Sequence, residues 1–519
     1  MTAAADLILT NARVHTLESG TEGPEPDAEA VAVRDGRVVR VGAAYDIEFS
    51  SDTETTVVDL DGRALLPGFI DAHTHMELLG RRIREADLGD ATAPETCLER
   101  LRTHRDETDG WVLGFAYDES GWGDARQLTR TDLDTVSTDR PVVAFREDMH
   151  LGSVNSVVLE WFGDEMPDRD VRTAGGEPTG VLVEDALDTV WEAIRADPTR
   201  TREYLLAAQK RANRLGVTAV HDMVRNSHAP RVYRELDQTG ALSLRVRLNY
   251  WSDHLDAVLE TGLRTGHGSD RVQTGGIKSY TDGSLGGHTA RLSEPYADAD
   301  IESNEPSDRH RGEWVVSPAE LAALVERVDE AGLQMTTHAI GDDAIAATLD
   351  AYDGTEGDRH RIEHAEVLTD ELIERLAASD VVVSAQPNFL KWAREGGLYA
   401  TRLGDRRRRD SNPFGKLLDS GVTLAFGSDC MPLDPLFGVA QAVDAPAPQQ
   451  ELSTFEALRA YTHGAARAGF DENRMGTVTV GHHADLVALG TDPWTADDIA
   501  AMDVAMTVVD GEIVHDERT

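Results

Sequence analysis

The feature that most constrains the fold is a regular alternation of short apolar runs and amphipathic stretches between residues 67 and 469. The apolar runs are typical of buried strands, and examples are GVTAVHDM, GGIKSYTDG and TLAFGSD. Helical patterns separate several of them, as in SPAELAALVERVDEAG and TDELIERLAASD. Strands and helices that alternate in this way form parallel βαβ units, and about eight such units favour a closed (β/α)8 barrel over an open sheet.

The two ends of the chain share a second kind of pattern. Asp35-Gly36 lies between two β-rich runs near the start, and Asp510-Gly511 repeats the arrangement near the end. Asp-Gly pairs favour two-residue hairpins, because a type I′ turn needs positive φ at both positions. We therefore predict a β-hairpin at each end of the chain.

These patterns divide the chain into parts. Neither end has enough apolar surface to fold alone, so we predict one small β-sandwich built from residues 1–66 and 470–519. Residues 67–469 form the predicted barrel. Residues 82–175 are too many for a single crossover, and we predict an inserted subdomain there, after the first barrel strand.

The charge of the chain argues against two classes of partner. Its 50 Lys and Arg residues stand against 94 Asp and Glu residues, a formal net charge of −44. A surface this negative repels phosphate backbones and anionic lipid, so we expect no nucleic-acid partner and no membrane partner. One short basic run, Arg406–Arg409, is flanked by Asp405 and Asp410, and we expect it to be a solvated loop.

Arginine carries almost all of the positive charge. The chain has four lysines, at positions 210, 278, 391 and 416. Its 40% of hydrophobic residues argues against disorder. An acidic, lysine-poor and folded chain is typical of a protein that works where salt screens its self-repulsion, since molar salt shortens the Debye length to about 3 Å. We therefore expect a halophilic protein.

The chain shows no pattern of export or membrane insertion. Two cysteines, Cys97 and Cys430, cannot form a disulfide framework. The N-terminus lacks a basic segment followed by a long apolar stretch, and no apolar run approaches the ~20 residues of a membrane span. We expect a cytoplasmic protein.

Polar residues at the ends of the predicted strands point to a metal site. In LLPGFIDAHTH, His73 and His75 alternate and face the same side of the first barrel strand, about 7 Å apart along it. His338 and His364 end the runs LQMTTH and RIEH, and Asp429 follows TLAFGS. Each could be a core or helix-capping residue when taken alone. Because active sites of barrels lie at the carboxyl ends of the strands, their recurrence at that edge predicts a shared cation.

Lys278 is the most informative single residue. It lies inside the apolar run GGIKSYTDG of a chain that has almost no lysine. Burial favours the neutral amine, which can react with carbon dioxide to form a carbamate and so bridge two metal ions. The alternative is a buried ion pair with Asp282.

Several motifs together resemble the amidohydrolase superfamily, in particular the family 3 subgroup that includes N-substituted formamide deformylase. They are PGFIDAHTH, DGSLGG, THAIGDDAI, RIEHAEV and GSDCMP, and the resemblance covers almost the whole chain. It implies a distorted (β/α)8 barrel, a β-sandwich made by both termini and a divalent metal site at the barrel mouth. The α/β fold class inferred from the alternation of strands and helices agrees with this.

The resemblance also implies roles for individual residues. It implies that the metal ligands are His73, His75, Lys278, His338, His364 and Asp429, with the lysine commonly carboxylated. His150, in the motif DMH, matches a position that faces the pocket. His288 stands where relatives usually have arginine, which affects the anion-binding side of the pocket. Cys430 stands where they often have alanine.

These ligands predict Zn²⁺ or a similar divalent cation with an open coordination position. We expect two ions if carbamylated Lys278 bridges them, and one ion otherwise. The predicted reaction is hydrolysis of a carbon–nitrogen bond other than a peptide bond, in an amide, formamide or cyclic amide. Asp429 is expected to move the proton of a metal-activated water to the leaving nitrogen.

The substrate is expected to be a small molecule of undetermined identity. Candidate substrate-binding residues are Tyr117, Trp122, His150, Asp282 and His288. For the aromatic ones, packing inside the insertion is the alternative. A heterocycle deaminase, a lyase or isomerase on the same site, and a non-catalytic scaffold stay open, as does a homo-oligomeric state.

Overall fold

The computed structural model describes residues 4–124, 126–147, 149, 151–299, 309–357 and 359–518. The chain divides into two compact units. The first unit contains Met1–His75, Gln209–Asn226 and Tyr233–Thr519, and the second contains Met76–Ala208 and Ser227–Val232. The predicted insertion, 82–175, falls within the second unit.

The first unit contains an eight-stranded parallel sheet in which strands that follow one another in the chain are hydrogen-bonded neighbours. In chain order, the eight barrel strands are Phe69–Thr74, Val217–Val224, Arg245–Trp251, Val272–Tyr280, Gln334–Ala339, Arg361–His364, Val382–Ala385 and Thr423–Phe426. Beyond the eighth strand, the backbone N–H of Asp429 donates to the carbonyl of His73 at 2.7 Å. This contact joins the last strand to the first, and the predicted, nearly closed (β/α)8 barrel is confirmed.

Most helices of the first unit follow these strands, and their starts are encoded locally. Ser317 and Glu320 form a capping box at the start of Pro318–Glu330, and Thr369 caps Asp370–Ala377. The other helices are Leu255–Glu260, Asp342–Tyr352, Leu390–Ala393, Leu398–Asp410, Phe414–Asp419, Pro435–Val443, Thr454–Arg459 and Ala465–Ala468. Pro198–Arg214 and Ala229–Gln238 belong partly to each unit.

Two further sheets of the first unit form the predicted β-sandwich. One sheet contains Leu7–Thr10, Ala30–Arg34, Arg37–Gly42 and Thr56–Asp59, and the helix Ala44–Glu48 follows its third strand. The other combines both termini in the strands Arg13–Val14, Ala64–Pro67, Leu486–Leu489, Val504–Val509 and Glu512–Asp516. Buried side chains from both sheets share one hydrophobic core.

Both predicted hairpins are present with the predicted turn geometry. The φ angles are 52° and 71° at Asp35 and Gly36, and 56° and 79° at Asp510 and Gly511. All four are positive, as a type I′ turn requires. The two turns lie against each other, since a Cβ at Gly511 would be 3.4 Å from the Cα of Gly36. The sandwich thus joins the two ends of the chain at their hairpins.

The second unit has a mixed six-stranded sheet of its own. Its strands are Ala86–Asp87, Val112–Tyr117, Val142–Arg146, Leu151–Val154, Val171–Ala174 and Glu177–Val183. Its helices include Met76–Arg84, Pro94–Glu107, Arg130–Asp134, Ser156–Phe162 and Glu184–Ala193. Val142 and Ala144 pack in one hydrophobic cluster, whereas Val143 and Phe145 pack in another. The alternation shows that helices cover both faces of this sheet.

The prediction of a solvated loop at Arg406–Arg409 is wrong. These residues lie in the last turns of the helix Leu398–Asp410, and Arg408 is buried. Its guanidinium donates to the carbonyl of Ala393 at 2.7 Å, which explains how an arginine is accommodated there. Positive side chains also suit a helix C-terminus, where the helix dipole is negative.

Within the described residues, no helix combines the length and the apolar character needed to cross a membrane. Cys97 and Cys430 are both buried, and no disulfide joins them.

Candidate metal centre

The predicted metal ligands converge at the carboxyl end of the barrel strands. His73 is in the first strand, Lys278 in the fourth, His338 in the fifth and His364 at the end of the sixth. Asp429 lies three residues beyond the eighth strand, at a backbone φ of 52°. Positive φ is uncommon for a residue with a Cβ, although Asp tolerates it better than most residues.

Distances show that these side chains share one small volume. One ligand atom each from His73, His364 and Asp429 lies within 4.8 Å of the other two. Asp429 Oδ1 is 3.2 Å from His75 Nε2 and 3.6 Å from His73 Nε2. The ring centroids of His338 and His364 are 4.4 Å apart. The structure therefore brings together histidines from three strands and the acid that follows the eighth.

Hydrogen bonds to the far side of each ring select the nitrogen that faces the centre. Nδ1 bonds Glu363 Oε2 at 2.5 Å in His73, the carbonyl of Met223 at 3.2 Å in His75, and Gln386 Oε1 at 2.6 Å in His364. Their Nε2 atoms are thus available to a metal. His338 is the reverse, because its Nε2 bonds the carbonyl of Gly283 at 2.9 Å and leaves Nδ1 available. Such partners orient metal-binding imidazoles and raise their basicity.

Burial keeps the histidines ready to bind a cation. Burial, reinforced by neighbouring positive groups that include Lys278, lowers the pKa of His73, His338 and His364 well below the ordinary value. The three imidazoles are therefore neutral at pH 7, as metal binding requires. For His75, burial is outweighed by its contact with Asp429, which raises its pKa.

Lys278 is a buried amine with an unsatisfied nitrogen. It is 2% exposed, and its Nζ has no hydrogen-bond partner within the described residues. Burial lowers its pKa to about 8, against the opposing effect of Glu363 and Asp429. The alternative ion pair with Asp282 is therefore not formed. The Asp282 carboxylate instead accepts backbone N–H groups of Arg291, Ile340 and Gly341, at 2.8, 3.0 and 2.9 Å.

A buried charged pair in the sixth strand supports His73, and sequence reasoning missed it. Glu363 is fully buried, bonds His73 through one oxygen and lies 2.9 Å from Arg361 through the other. Arg361 also donates to the carbonyl of Ala72 at 2.6 Å and to His221 Nδ1 at 2.8 Å. The signal that could have revealed the pair is the presence of two opposite charges inside the strand RIEH.

Two aromatic side chains beside the centre were also missed. Trp251 ends the third strand with its ring 6.4 Å from that of His75, and Tyr280 ends the fourth strand with its ring 6.4 Å from that of His338. Their rings meet edge to face at 5.4 Å, and both residues are partly exposed. Their position at strand ends, like that of the histidines, was the available signal.

The remaining predicted residues take different places. Asp282 is buried, with one oxygen 3.6 Å from His338 Nε2. His288 is partly exposed and pairs with Asp298 at 3.0 Å. Tyr117 and Trp122 stack on each other in a hydrophobic cluster of the second unit, which favours the packing alternative. His150 lies outside the described residues.

Cys430 packs beside the ligands rather than among them. Its thiol lies 3.0 Å from Thr74 Oγ1 and 3.3 Å from the backbone nitrogen of His75, and burial raises its pKa to about 12. A thiol with this pKa stays protonated at neutral pH and is a poor metal ligand.

The donor set fits a divalent cation. Neutral imidazoles and a carboxylate suit Zn²⁺ and neighbouring transition metals. The unsatisfied Lys278 amine lies in the same barrel interior. The centre therefore has the composition of a divalent metal site at the catalytic end of a barrel.

Comparison with known proteins agrees with this geometry. A family model for the amidohydrolase family matches residues 56–515. The chain is 30% identical to the Bacillus subtilis protein YtcJ, across 94% of this chain and 96% of that one. It is 26% identical to the N-substituted formamide deformylase of Arthrobacter pascens, across 100% of both chains.

The fold is similar to the crystal structure of an uncharacterized metal-dependent hydrolase from Pyrococcus furiosus, with a TM-score of 0.78 and 29% identity. The match covers 94% of this chain and 100% of that one. The family model spans most of the sequence, including all eight barrel strands. The chain therefore belongs to the amidohydrolase family.

Proposed function

We propose that this chain hydrolyses a carbon–nitrogen bond other than a peptide bond, in an amide, formamide or cyclic amide of low molecular weight. The observation that carries the proposal is the approach of His73, His364 and Asp429 to within 4.8 Å of one another at the carboxyl end of the barrel. Membership of the amidohydrolase family and the similarity to a relative named as a formamide deformylase support the same class of reaction.

The residues divide into two sets of ligands in this proposal. His73, His75 and Asp429 would hold one divalent cation, and His338 and His364 a second, with the carbamate of Lys278 between them. We propose Zn²⁺ as the physiological ion. A cation there would lower the pKa of a bound water from about 15.7 towards 7 and polarise a substrate carbonyl.

Asp429 is the proposed proton carrier. Burial alone would raise the pKa of its carboxyl, but His73 and the hydrogen bond from His75 hold that pKa below its ordinary range. The carboxylate is therefore ionised at neutral pH and accepts the proton that the attacking water loses. It then donates this proton to the leaving nitrogen, so that amide and water become acid and amine.

Lys278 meets the chemical requirement for carbamate formation. With its pKa lowered to about 8, roughly a tenth of the amine is neutral at pH 7. The neutral nitrogen attacks the carbon of carbon dioxide and loses one proton, which leaves an anionic carbamate. A carbamate that binds the metal ions would also be a satisfied polar group, whereas the buried amine has no hydrogen-bond partner within the described residues.

Replacement of this lysine tests the bridge directly. We expect Lys278→Ala to bind fewer equivalents of metal and to lose most activity, because the link between the two ligand sets is gone. Metal content is measured by elemental analysis after chelation and reconstitution with Zn²⁺ in bicarbonate. Lys210→Ala, at an exposed helix position, is the matched control. Unchanged metal content and rate in Lys278→Ala would refute the bridging role.

A substrate screen tests the reaction itself. Metal-reconstituted protein is incubated with N-formyl amines, N-acyl amino acids, cyclic amides and amino-substituted heterocycles, and the release of amine or ammonia is measured. Release of amine with the matching acid supports the proposal. Release of ammonia from heterocycles alone would favour the deaminase alternative, and no turnover of any compound by fully loaded protein would favour a non-catalytic scaffold.

A further inference from the structure

A small cavity with charged residues in its lining lies at the opposite, amino end of the barrel strands. It has about 10 Å³ open to the centre of a water-sized sphere, room for about one water or one monatomic ion. Its lining includes Ile70 of the first strand, Val220 of the second and Val246 of the third. The cavity is therefore separate from the metal centre, which lies at the other end of the same strands.

The charges around this cavity are unusual for so acidic a chain. Its charged lining residues are Arg245, Arg247, Arg271, Arg474, Asp270 and Asp471. Four positive and two negative charges leave a formal +2, in a protein whose net charge is −44. Two of the arginines are also paired outside the lining, Arg245 with Asp485 and Asp510 and Arg271 with Asp510.

Arg247 supplies a cationic donor that no group accepts. It is 6% exposed, and its Nε and Nη2 both bond Asp471 Oδ2 at 2.6 Å. Its Nη1 is buried and has no hydrogen-bond partner within the described residues. A buried guanidinium N–H without an acceptor is costly, so a ligand that accepts from it is expected.

His221 supplies a second donor beside it. Its Nδ1 accepts a hydrogen bond from Arg361 at 2.8 Å, which places the ring proton on Nε2. A Cβ placed on Gly469 would lie 2.9 Å from His221 Nε2 and 2.7 Å from Arg247 Nε, so the two side chains are neighbours. Burial and the nearby Arg361 and Arg247 lower the pKa of His221 well below its ordinary value, and the ring is neutral.

We propose that this cavity binds one halide ion, chloride under physiological conditions, between Arg247 Nη1 and His221 Nε2. Arg247 Nη1 has no acceptor within the described residues, and a halide accepts from it and from His221 Nε2 without bringing protons of its own. A water molecule in the same place would have to donate two hydrogen bonds as well. The site is independent of the hydrolytic reaction proposed above.

Bromide diffraction tests the site in the intact, metal-loaded protein. Crystals are grown with sodium bromide in place of sodium chloride, and data are collected at the bromine absorption edge. We expect an anomalous peak within hydrogen-bonding distance of Arg247 Nη1 and His221 Nε2. Density without an anomalous signal would identify a water, and either this result or an empty cavity would overturn the proposal.

Thermal unfolding supplies a test in solution. At one ionic strength, we expect the Tm to be roughly 2 °C or more higher in sodium chloride or bromide than in sodium acetate, because the halide binds the folded state. Arg247→Met should abolish this difference. Arg327→Met, which removes a half-exposed arginine paired with Asp256, should keep it.

Bromide diffraction and thermal unfolding test the same site independently. An equal halide effect in Arg247→Met and in the unaltered protein would contradict the site. If Arg247→Met does not fold, the bromide map of the unaltered protein decides.

Discussion

The two ends of the barrel differ in how far their buried charged side chains find hydrogen-bond partners. At the carboxyl end, the amine of Lys278 has no hydrogen-bond partner among the described residues, and the nearby histidines are held neutral. At the amino end, the guanidinium of Arg245 is 2.6 Å from Asp485, 2.8 Å from Asp510 and 2.8 Å from His483 Nδ1. Buried polar groups are nearly always satisfied in native proteins. An unsatisfied buried group points to a ligand, whereas the satisfied cluster around Arg245 stabilises the fold.

The halide cavity refines this contrast. It lies within the amino-end cluster, yet one donor of Arg247 has no hydrogen-bond partner in the part of the chain that the structure describes. The same criterion, an unsatisfied buried donor, thus points to a ligand at both ends. The sizes differ, because the amino-end cavity has room for about one atom and the carboxyl end faces the side where barrels bind substrates.

The largest expected effect concerns catalysis at the carboxyl end. Asp429→Asn should lower kcat by about 10²–10⁴, because the amide cannot accept the proton of the attacking water. We expect it to retain metal better than rate, as checked by elemental analysis and by kcat on the best substrate of the screen. Asp434→Asn is the control, since Asn caps a helix as well as Asp does. A near-normal kcat in Asp429→Asn would defeat the assigned role.

At the amino end, the expected effect is on stability alone. Arg245→Met should lower the free energy of unfolding by about 3–5 kcal/mol, because Asp485 would stay buried without its partner. Urea unfolding measures the change. The exposed pair removed by Arg327→Met should cost at most about 1 kcal/mol. If Arg245→Met abolished turnover while the protein stayed fully folded, the conclusion that the amino-end cluster affects stability alone would be wrong.

Glu363 contacts both His73 of the metal centre and Arg361, so it tests whether a buried charge supports metal binding or only the fold. Glu363→Gln keeps the shape of the side chain but loses the charge that faces His73 and Arg361. We expect the affinity for Zn²⁺ to fall by about 10- to 100-fold. Competition with a chelator measures it, with the exposed Glu326→Gln as control. A purely structural role would lower the Tm and leave the metal affinity unchanged.

The smallest expected effect is a difference in pH dependence between the two ends. Burial first, and then neighbouring positive charges, lower the folded-state pKa of His364, so its contribution to stability is lost as pH falls below the unfolded value of about 6.5. For Asp510, burial is outweighed by His483 and Arg245, which hold the pKa below its ordinary range. That contribution is lost only below about pH 4.

Unfolding of the metal-free protein as a function of pH separates the two windows. We expect the Tm to begin to fall near pH 6.5 and to fall again below about pH 4. Arg245→Met should weaken the second decline and leave the first. A single decline in both proteins would show that the ends are not distinguishable by pH.

Much of the fold was predictable because its signals are local. The barrel strands are apolar runs that are buried on both faces, and the strand Val217–Val224 coincides with the predicted run GVTAVHDM. The hairpins at Asp35 and Asp510 follow from the rarity of positive φ outside Gly, Asn and Asp. The alternation of His73 and His75 marks the carboxyl edge of the barrel, and it is a property of three neighbouring residues.

Other features depend on contacts between residues far apart in the chain. Arg361 and Glu363 look like ordinary strand-end charges until the first, second and seventh strands supply their partners. The run Arg406–Arg409 has the charge pattern of a solvated loop, yet Arg408 donates to the carbonyl of Ala393 from inside a helix. Local charge alone does not reveal whether a partner lies nearby in the fold.

The sequence by itself determined the barrel and the sandwich built from both ends, because periodicity and turn chemistry are properties of neighbouring residues. It also supplied the candidate metal ligands, through the resemblance to a known family. Only the tertiary structure decided which buried charges are satisfied. Lys278 and Arg247 are both cations in barrel strands, and the contacts that leave each with an unpaired nitrogen come from other strands and loops. Desolvation is set by the whole fold, so the most telling property of these two residues is invisible in the chain.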